Sequence, residues 1–213
     1  MKTLALAGTF AVLMMTLSSN AGADIIGGID FPDGAISFAD EVVSFDIGTN
    51  VSGVWADPED SLGVPDYNGA TGAVSLGIGG TLIVKFTNNS LTTSGDATPD
   101  LHVFEVGAVT EFFNLSISTN GINWIDLGNV LGQPTSVNID GVAGVVAGTQ
   151  YSFVRLMDVA PNQSGSPFGE ADIDAIGAIS SAPPVTPVPE PVTLSLLGVG
   201  LVGSSLARRR ARR

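Results

Sequence analysis

The side chains best equipped for chemistry in this 213-residue chain are its carboxylates. Asp96 and Asp100 flank the loop Ser94-Gly95-Asp96-Ala97-Thr98-Pro99-Asp100, and Glu105 lies just downstream. Asp172 and Asp174 are two apart in a run that reads as a strand, so they share one face. Like charges placed so repel one another unless a cation or a basic group sits between them. Glu170 and Asp158 are expected to approach from neighbouring segments. Hard oxygen donors in this number suit Ca²⁺, which takes about six to eight oxygens from carboxylates, amides, carbonyls and water. The expected ligand set is Asp96, Asp100, Asp158, Glu170, Asp172 and Asp174. Two rivals stand beside it: Arg155 neutralising Asp172 or Asp174 in a charge-assisted pair, or a plain solvated acidic surface.

Other chemistries are poorly supplied. The chain has no cysteine, which removes thiol nucleophiles, thiolate zinc sites and disulfides together. His102 is the only histidine and lies in an alternating run, so it reads as an ordinary strand residue, and one histidine cannot build a multi-histidine zinc site. No nucleophile elbow, zinc-protease helix or phosphate loop is present. Glycoside hydrolysis needs two carboxylates roughly 5–10 Å apart, and with so many acids such a pair arises by chance. The expectation is a non-enzyme. An enzyme would instead show a concave pocket with paired carboxylates of perturbed pKa.

Charge is partitioned along the chain. Residues 24–181 hold 20 acids and only two bases, Lys85 and Arg155, a formal −18. The remaining bases are Lys2 and the terminal Arg208, Arg209, Arg210, Arg212 and Arg213. So acidic a body is unsuited to nucleic acid, whose phosphates demand basic surface.

Both ends read as processing signals. Residues 1–23 carry one positive charge, an apolar run of about 14 residues and then Ala21-Gly22-Ala23, the small-x-small pattern that signal peptidase accepts. At the other end, residues 182–191 form a Pro-rich spacer, 192–207 an apolar segment and 208–213 an arginine cluster. An apolar stretch followed by arginines places the C-terminus in the cytoplasm and the acidic body outside. With Pro189-Glu190-Pro191, this tail resembles the PEP-CTERM sorting signal. The resemblance implies an integral-membrane peptidase, the exosortase, as processing partner. It also implies an exported protein that is inner-membrane anchored in transit and then placed at the cell surface or in the extracellular matrix.

The elements that must position the acids are short alternating runs separated by Gly, Asn, Asp and Pro, with no long helical stripe. Strands are expected at Ala35–Ile47, Ala73–Ile78, Thr81–Thr87, Asp100–Val106, Phe112–Ser118, Trp124–Asn129, Thr135–Ile139, Ser152–Asp158 and Asp172–Ile179. The spacing predicts an all-β fold, a single antiparallel jelly-roll-like β-sandwich over 24–181, between an N-terminal signal helix and a C-terminal transmembrane-type helix. Asn120-Gly121 predicts a type I′ hairpin, and Trp124 beyond it reads as core. The segments VSLGIGGTLIVKFTNN (74–89), DLHVFEVG (100–107), SISTNGINWIDLG (116–128) and SFVRLMDV (152–159) resemble the discoidin or galactose-binding β-sandwich modules. That resemblance implies a platform for carbohydrate or surfaces. The reading is thus an exported, non-enzymatic surface or matrix protein associated with exopolysaccharide. A carbohydrate-active enzyme and a purely structural coat protein are the alternatives.

Overall fold

Period-two alternation of Leu, Ile, Val and Phe with polar residues builds this chain into antiparallel strands. The computed structural model describes residues 22–133, 135–159 and 170–185. In chain order the strands are β1 (Asp24–Ile26), β2 (Ile29–Phe31), β3 (Glu41–Asp46), β4 (Val74–Ser75), β5 (Thr81–Lys85), β6 (Ser90–Leu91), β7 (Leu101–Val106), β8 (Phe112–Ser118), β9 (Ile125–Leu131), β10 (Thr135–Val137), β11 (Phe153–Asp158), β12 (Asp172–Ala178) and β13 (Ser181–Ala182). Short 3₁₀ turns at Gly34–Ser37, Gly53–Ala56 and Pro58–Ser61 are the helical elements among the described residues. No helix among those residues is long and apolar enough to cross a membrane. The expected signal helix, the apolar segment 192–207 and the sorting residues lie outside the described residues, as does Ala21; Ala23 is exposed.

Two sheets face one another. One runs β3-β5-β11-β8-β9 and the other β10-β7-β12-β4, antiparallel at every pairing. Leu82, Val84, Leu115, Ile117, Val154 and Leu156 of the first pack against Val74, Leu101, Val103, Ile173, Ile176 and Ala178 of the second. Full burial of side chains this size removes roughly 1.5–3 kcal/mol of unfavourable apolar exposure each. Leu115 and Ile117 point into this core while Ser116, between them, receives a hydrogen bond from Arg155 Nη2 at 3.2 Å.

The four-stranded sheet is covered on its outer face as well. Phe31, Phe38, Phe104 and Ala175 form a second apolar cluster there, with Ile26, Ile29 and Ile179 packed onto it. The segment from β1 to the Gly34–Ser37 turn therefore acts as a lid on β7 and β12, and every residue of β12 is buried. That explains why Asp172–Ala178 lacks a polar face in its second half. His102 sits in this second layer, edge-on to Phe104 with centroids 4.5 Å apart.

Two local expectations are corrected. Ile117 pairs with Ile125, so the connection around Asn120-Gly121 is longer than a two-residue turn. Only Gly121 of the pair has positive φ, at 71°. The Asn120 side chain closes the loop instead, accepting from the amides of Ile122 and Asn123 at 3.0 and 2.9 Å. Trp124 is not core: it lies half-buried on the outer face of the five-stranded sheet. There its ring takes the Arg155 guanidinium, whose carbon is 4.6 Å from the centroid.

Candidate functional site

A cavity of about 420 Å³ opens at the end of the sandwich where β7 turns into β8 and where β12 begins. One wall comes from the 3₁₀ turn bearing Trp55 and the loop bearing Tyr67, Gly69 and Ala70. Gly107, Ala108 and Val109 of the β7–β8 connection form the other, and Glu111 and Asp172 supply its charge. The Trp55 and Tyr67 rings lie 5.9 Å apart at 54°.

Each wall is held by a specific bond. Register shifts between Ile173 and Ala175 against β7, so Asp174 falls at a bulge. Its Oδ1 accepts from the amides of Asp66 and Tyr67 at 2.9 and 3.3 Å, fixing the aromatic loop. Burial pushes the Asp174 carboxyl up to about 6, and those two amide bonds work against the shift. Across the cavity, the Gln133 amide donates to the carbonyls of Gly107 and Val109 at 2.8 and 3.1 Å.

Besides Glu111 and Asp172, which line the cavity, the buried acids Glu105 and Glu170 lie within electrostatic reach of Glu111. Strand alternation puts Glu105 on the core side of β7 with Leu101 and Val103, and Glu111 continues the parity of Phe113, Leu115 and Ile117. Glu105, Glu111, Glu170 and Asp172 are all buried. Desolvation, then the charges of Glu111 and Asp172, push the Glu105 carboxyl up to about 9, offset a little by the nearby Gln133 amide. Both Glu105 oxygens nevertheless lack a hydrogen-bond partner. Burial, then Asp158 and Glu111, raise Glu170 to about 7. Asp172 also rises to about 7, chiefly through burial, with a Ser75 hydrogen bond opposing and Glu111 adding to it. Among the described residues no three acid or histidine side chains stand at metal-ligating spacing as placed.

The sequence-predicted acids divide between the two ends of the sheet. Leu101 pairs with Ala178 and Val106 with Asp172, so Asp100 and Asp172 are separated by the length of β7, roughly 17 Å. Asp100 is fully buried and accepts from the amides of Ser94 and Ile139 at 2.6 and 2.9 Å. Exposed Asp96 closes a turn on Thr98 N at 2.7 Å. Asp158 holds the Gly79 amide at 2.8 Å. Glu170 is brought near Asp158, whose charge acts on it, whereas Asp174 is turned to the 66–67 loop. Arg155 pairs with neither Asp172 nor Asp174: it is held by Trp124 and Ser116, and its charge acts on Asp126.

Trp55, Tyr67 and Glu111 were absent from the expected site. The available signal was an acid in the core register of an otherwise apolar alternation, at Glu105 and again at Glu111.

Residues 187–213 match the family described as the PEP-CTERM protein-sorting motif. The motif implies an exported protein processed by an exosortase and anchored in the membrane before sorting. No curated protein matches the chain. Among solved structures, the chain is similar to the C-terminal domain of a chitobiase from Bacteroides fragilis at 13% identity, covering 68% of this chain and 93% of that one, with a TM-score of 0.40.

Proposed function

We propose that this protein is a non-enzymatic surface or matrix module that binds carbohydrate of the surrounding exopolysaccharide in the Trp55–Tyr67 cavity. The observation that carries the reading is one cavity holding two aromatic rings 5.9 Å apart together with the Glu111 and Asp172 carboxylates. Aromatic rings offer an apolar body to the C–H face of a sugar, and carboxylates accept its hydroxyl protons. A body at formal −18 repels polyanions, so the ligand is a neutral glycan, or an acidic one bridged by divalent cation. The test is a glycan array and calorimetry on the full chain, with Trp55→Ala and Tyr67→Ala. Binding by the parent that both variants lose supports the reading; no glycan bound, or binding unaffected by either change, overturns it.

A second reading, glycoside hydrolysis, is favoured by one feature. Asp172, with its carboxyl raised to about 7, lines the same cavity as Glu111, and a raised acid beside a second carboxylate is the pattern of a general acid and its partner. Release of reducing ends from polysaccharide, abolished in Asp172→Asn, would replace the binding reading with this one.

A further inference from the structure

We propose that the Trp55–Tyr67 cavity selects a cationic sugar, holding the free ammonium of a de-N-acetylated amino sugar against Asp172. This names the sugar class within the carbohydrate reading of the cavity and rests on that reading. Three observations carry it. First, Asp172 lines the cavity and is only 4% exposed, yet its Oδ1 has no hydrogen-bond partner. A buried polar atom ordinarily has one, so this oxygen is an acceptor held ready for a ligand. Second, Gly107 keeps the β7–β8 side of Asp172 open: a Cβ there would stand 3.4 Å from Asp172 Oδ2. Third, the surrounding charge is of one sign. Glu111 lines the same cavity and its charge acts on Asp172. Behind the aromatic wall the charges of Asp66 and Asp60 act on Asp174. Both bases of the 24–181 body stand elsewhere, on the five-stranded sheet, Arg155 over Trp124 and Lys85 on Glu41.

These features select a cation with an apolar flank. Trp55 and Tyr67 are tilted at 54° with centroids 5.9 Å apart, which makes a corner and not a flat platform. A ring face attracts positive charge through its quadrupole, most strongly where water is excluded. A sugar hydroxyl donates to Asp172 but leaves the buried negative charge unopposed, whereas an ammonium supplies both the donor and the opposite charge. Burial, with Glu111 adding to it, holds the Asp172 carboxyl at about 7 in the free protein, and a cation beside it favours the ionised form. The cavity, at about 420 Å³, lies in the roughly 300–1,000 Å³ range of small-ligand sites, so it receives one end or a short stretch of a glycan. The preferred ligand is a glycan uncharged along its chain that carries a free amine on the unit bound. The same body charge that turns polyanions away draws this group in.

The experiment is calorimetry on the full chain with β-linked tetrasaccharides of glucosamine, of N-acetylglucosamine and of glucose. Ethanolamine is added as an ammonium without a sugar. The glucosamine tetramer should bind about tenfold or more tighter than either neutral tetramer, the effect of one desolvated charge pair. Added salt should narrow that preference. Asp172→Asn keeps an acceptor oxygen but loses the charge, so the ratio of affinities should fall to about one. The change removes a buried charge, so the variant should melt no lower than the parent, which separates a lost preference from lost folding. Neutral tetramers bound as tightly as the glucosamine one overturn the inference and leave the carbohydrate reading standing. So does a preference that survives intact in Asp172→Asn, which would assign it to the diffuse charge of the body. Ethanolamine bound as tightly as the glucosamine tetramer overturns it in favour of a small amine. If no probe binds at all, the carbohydrate reading itself fails and the inference falls with it.

Discussion

The Arg155 guanidinium lies over the Trp124 ring, its central carbon 4.6 Å from the centroid, on the outer face of the five-stranded sheet. This pairing shapes the electrostatics of the whole body. It takes one of only two bases between residues 24 and 181 away from the buried acids. Lys85 is engaged on the same sheet, with Nζ 5.7 Å from the Phe153 centroid and an ion pair to Glu41. The positive charge of the body is thus collected on one sheet, away from the buried carboxyls of Glu105 and Asp172.

Removing the ring should therefore cost packing and the cation–π contact without touching the buried acids. Trp124→Ala is expected to lower stability by about 1 kcal/mol through the cation–π term, plus lost contact area. Trp124→Phe should recover part of it. Urea denaturation measures both, and a Trp124→Phe midpoint no higher than that of Trp124→Ala would contradict the ring–guanidinium contact.

The type I′ geometry expected at Asn120-Gly121 is found instead at Gly27-Gly28, where both residues have positive φ, 58° and 84°. These two glycines join β1 to β2 over the outer sheet face. A Cβ at Gly28 meets nothing, whereas one at Gly27 drives into the Phe104 ring. Both alanine substitutions carry a left-handed backbone cost of about 1 kcal/mol. Gly27→Ala adds overpacking of about 1–3 kcal/mol. The ordering of urea midpoints, parent above Gly28→Ala above Gly27→Ala, is the check.

His102 should make stability depend on pH. Desolvation lowers its pKa to about 4, while Nδ1 pairs with Ser136 Oγ at 2.6 Å. In the unfolded chain it titrates near 6.5. Between those values the unfolded state binds more protons than the folded one, so stability rises with pH there. The contribution is complete above about pH 6.5 and is lost as pH falls toward 4, a difference on the order of 2 kcal/mol. The raised carboxyls act with the opposite sign, so the readout is parent minus His102→Phe in urea melts across that range. A difference that does not vary with pH contradicts the buried neutral imidazole.

Much of this architecture was legible in the residues. Phe112–Ser118 was predicted with the bounds it has, and the strands through Leu82, Leu101, Val154 and Ile173 were placed within two residues, because alternation against one core is a local signal. Trp124 and Trp55 were not separable that way. Their difference depends on which sheet face receives Arg155 and which loop folds beside Tyr67, and both are tertiary facts. The β1–β2 lid was missed because two three-residue strands leave too short a pattern. The acids show the same limit. Spacing alone grouped Asp96 and Asp100 with Asp172, whereas antiparallel pairing of β7 with β12 sends them to opposite ends.

The Asp174 bulge gives the sharpest test of how the cavity is kept open. Its carboxylate, 5% exposed, holds the Asp66 and Tyr67 amides across 108 and 107 residues of sequence, so the aromatic wall hangs on one side chain of the opposite sheet. Asp174→Ala leaves both amides without that acceptor, at an expected cost of about 1–3 kcal/mol. Asp174→Asn retains an acceptor oxygen and should lose less. In a Trp124→Phe background, where Trp55 is the remaining tryptophan, Asp174→Ala should shift emission to the red as Tyr67 moves away and water enters. If stability falls but the emission of Trp55 stays unchanged, the wall is held by its own turn at Asn68, whose Oδ1 accepts from Ala70 and Thr71 at 3.1 and 3.2 Å, and Asp174 is a core residue only.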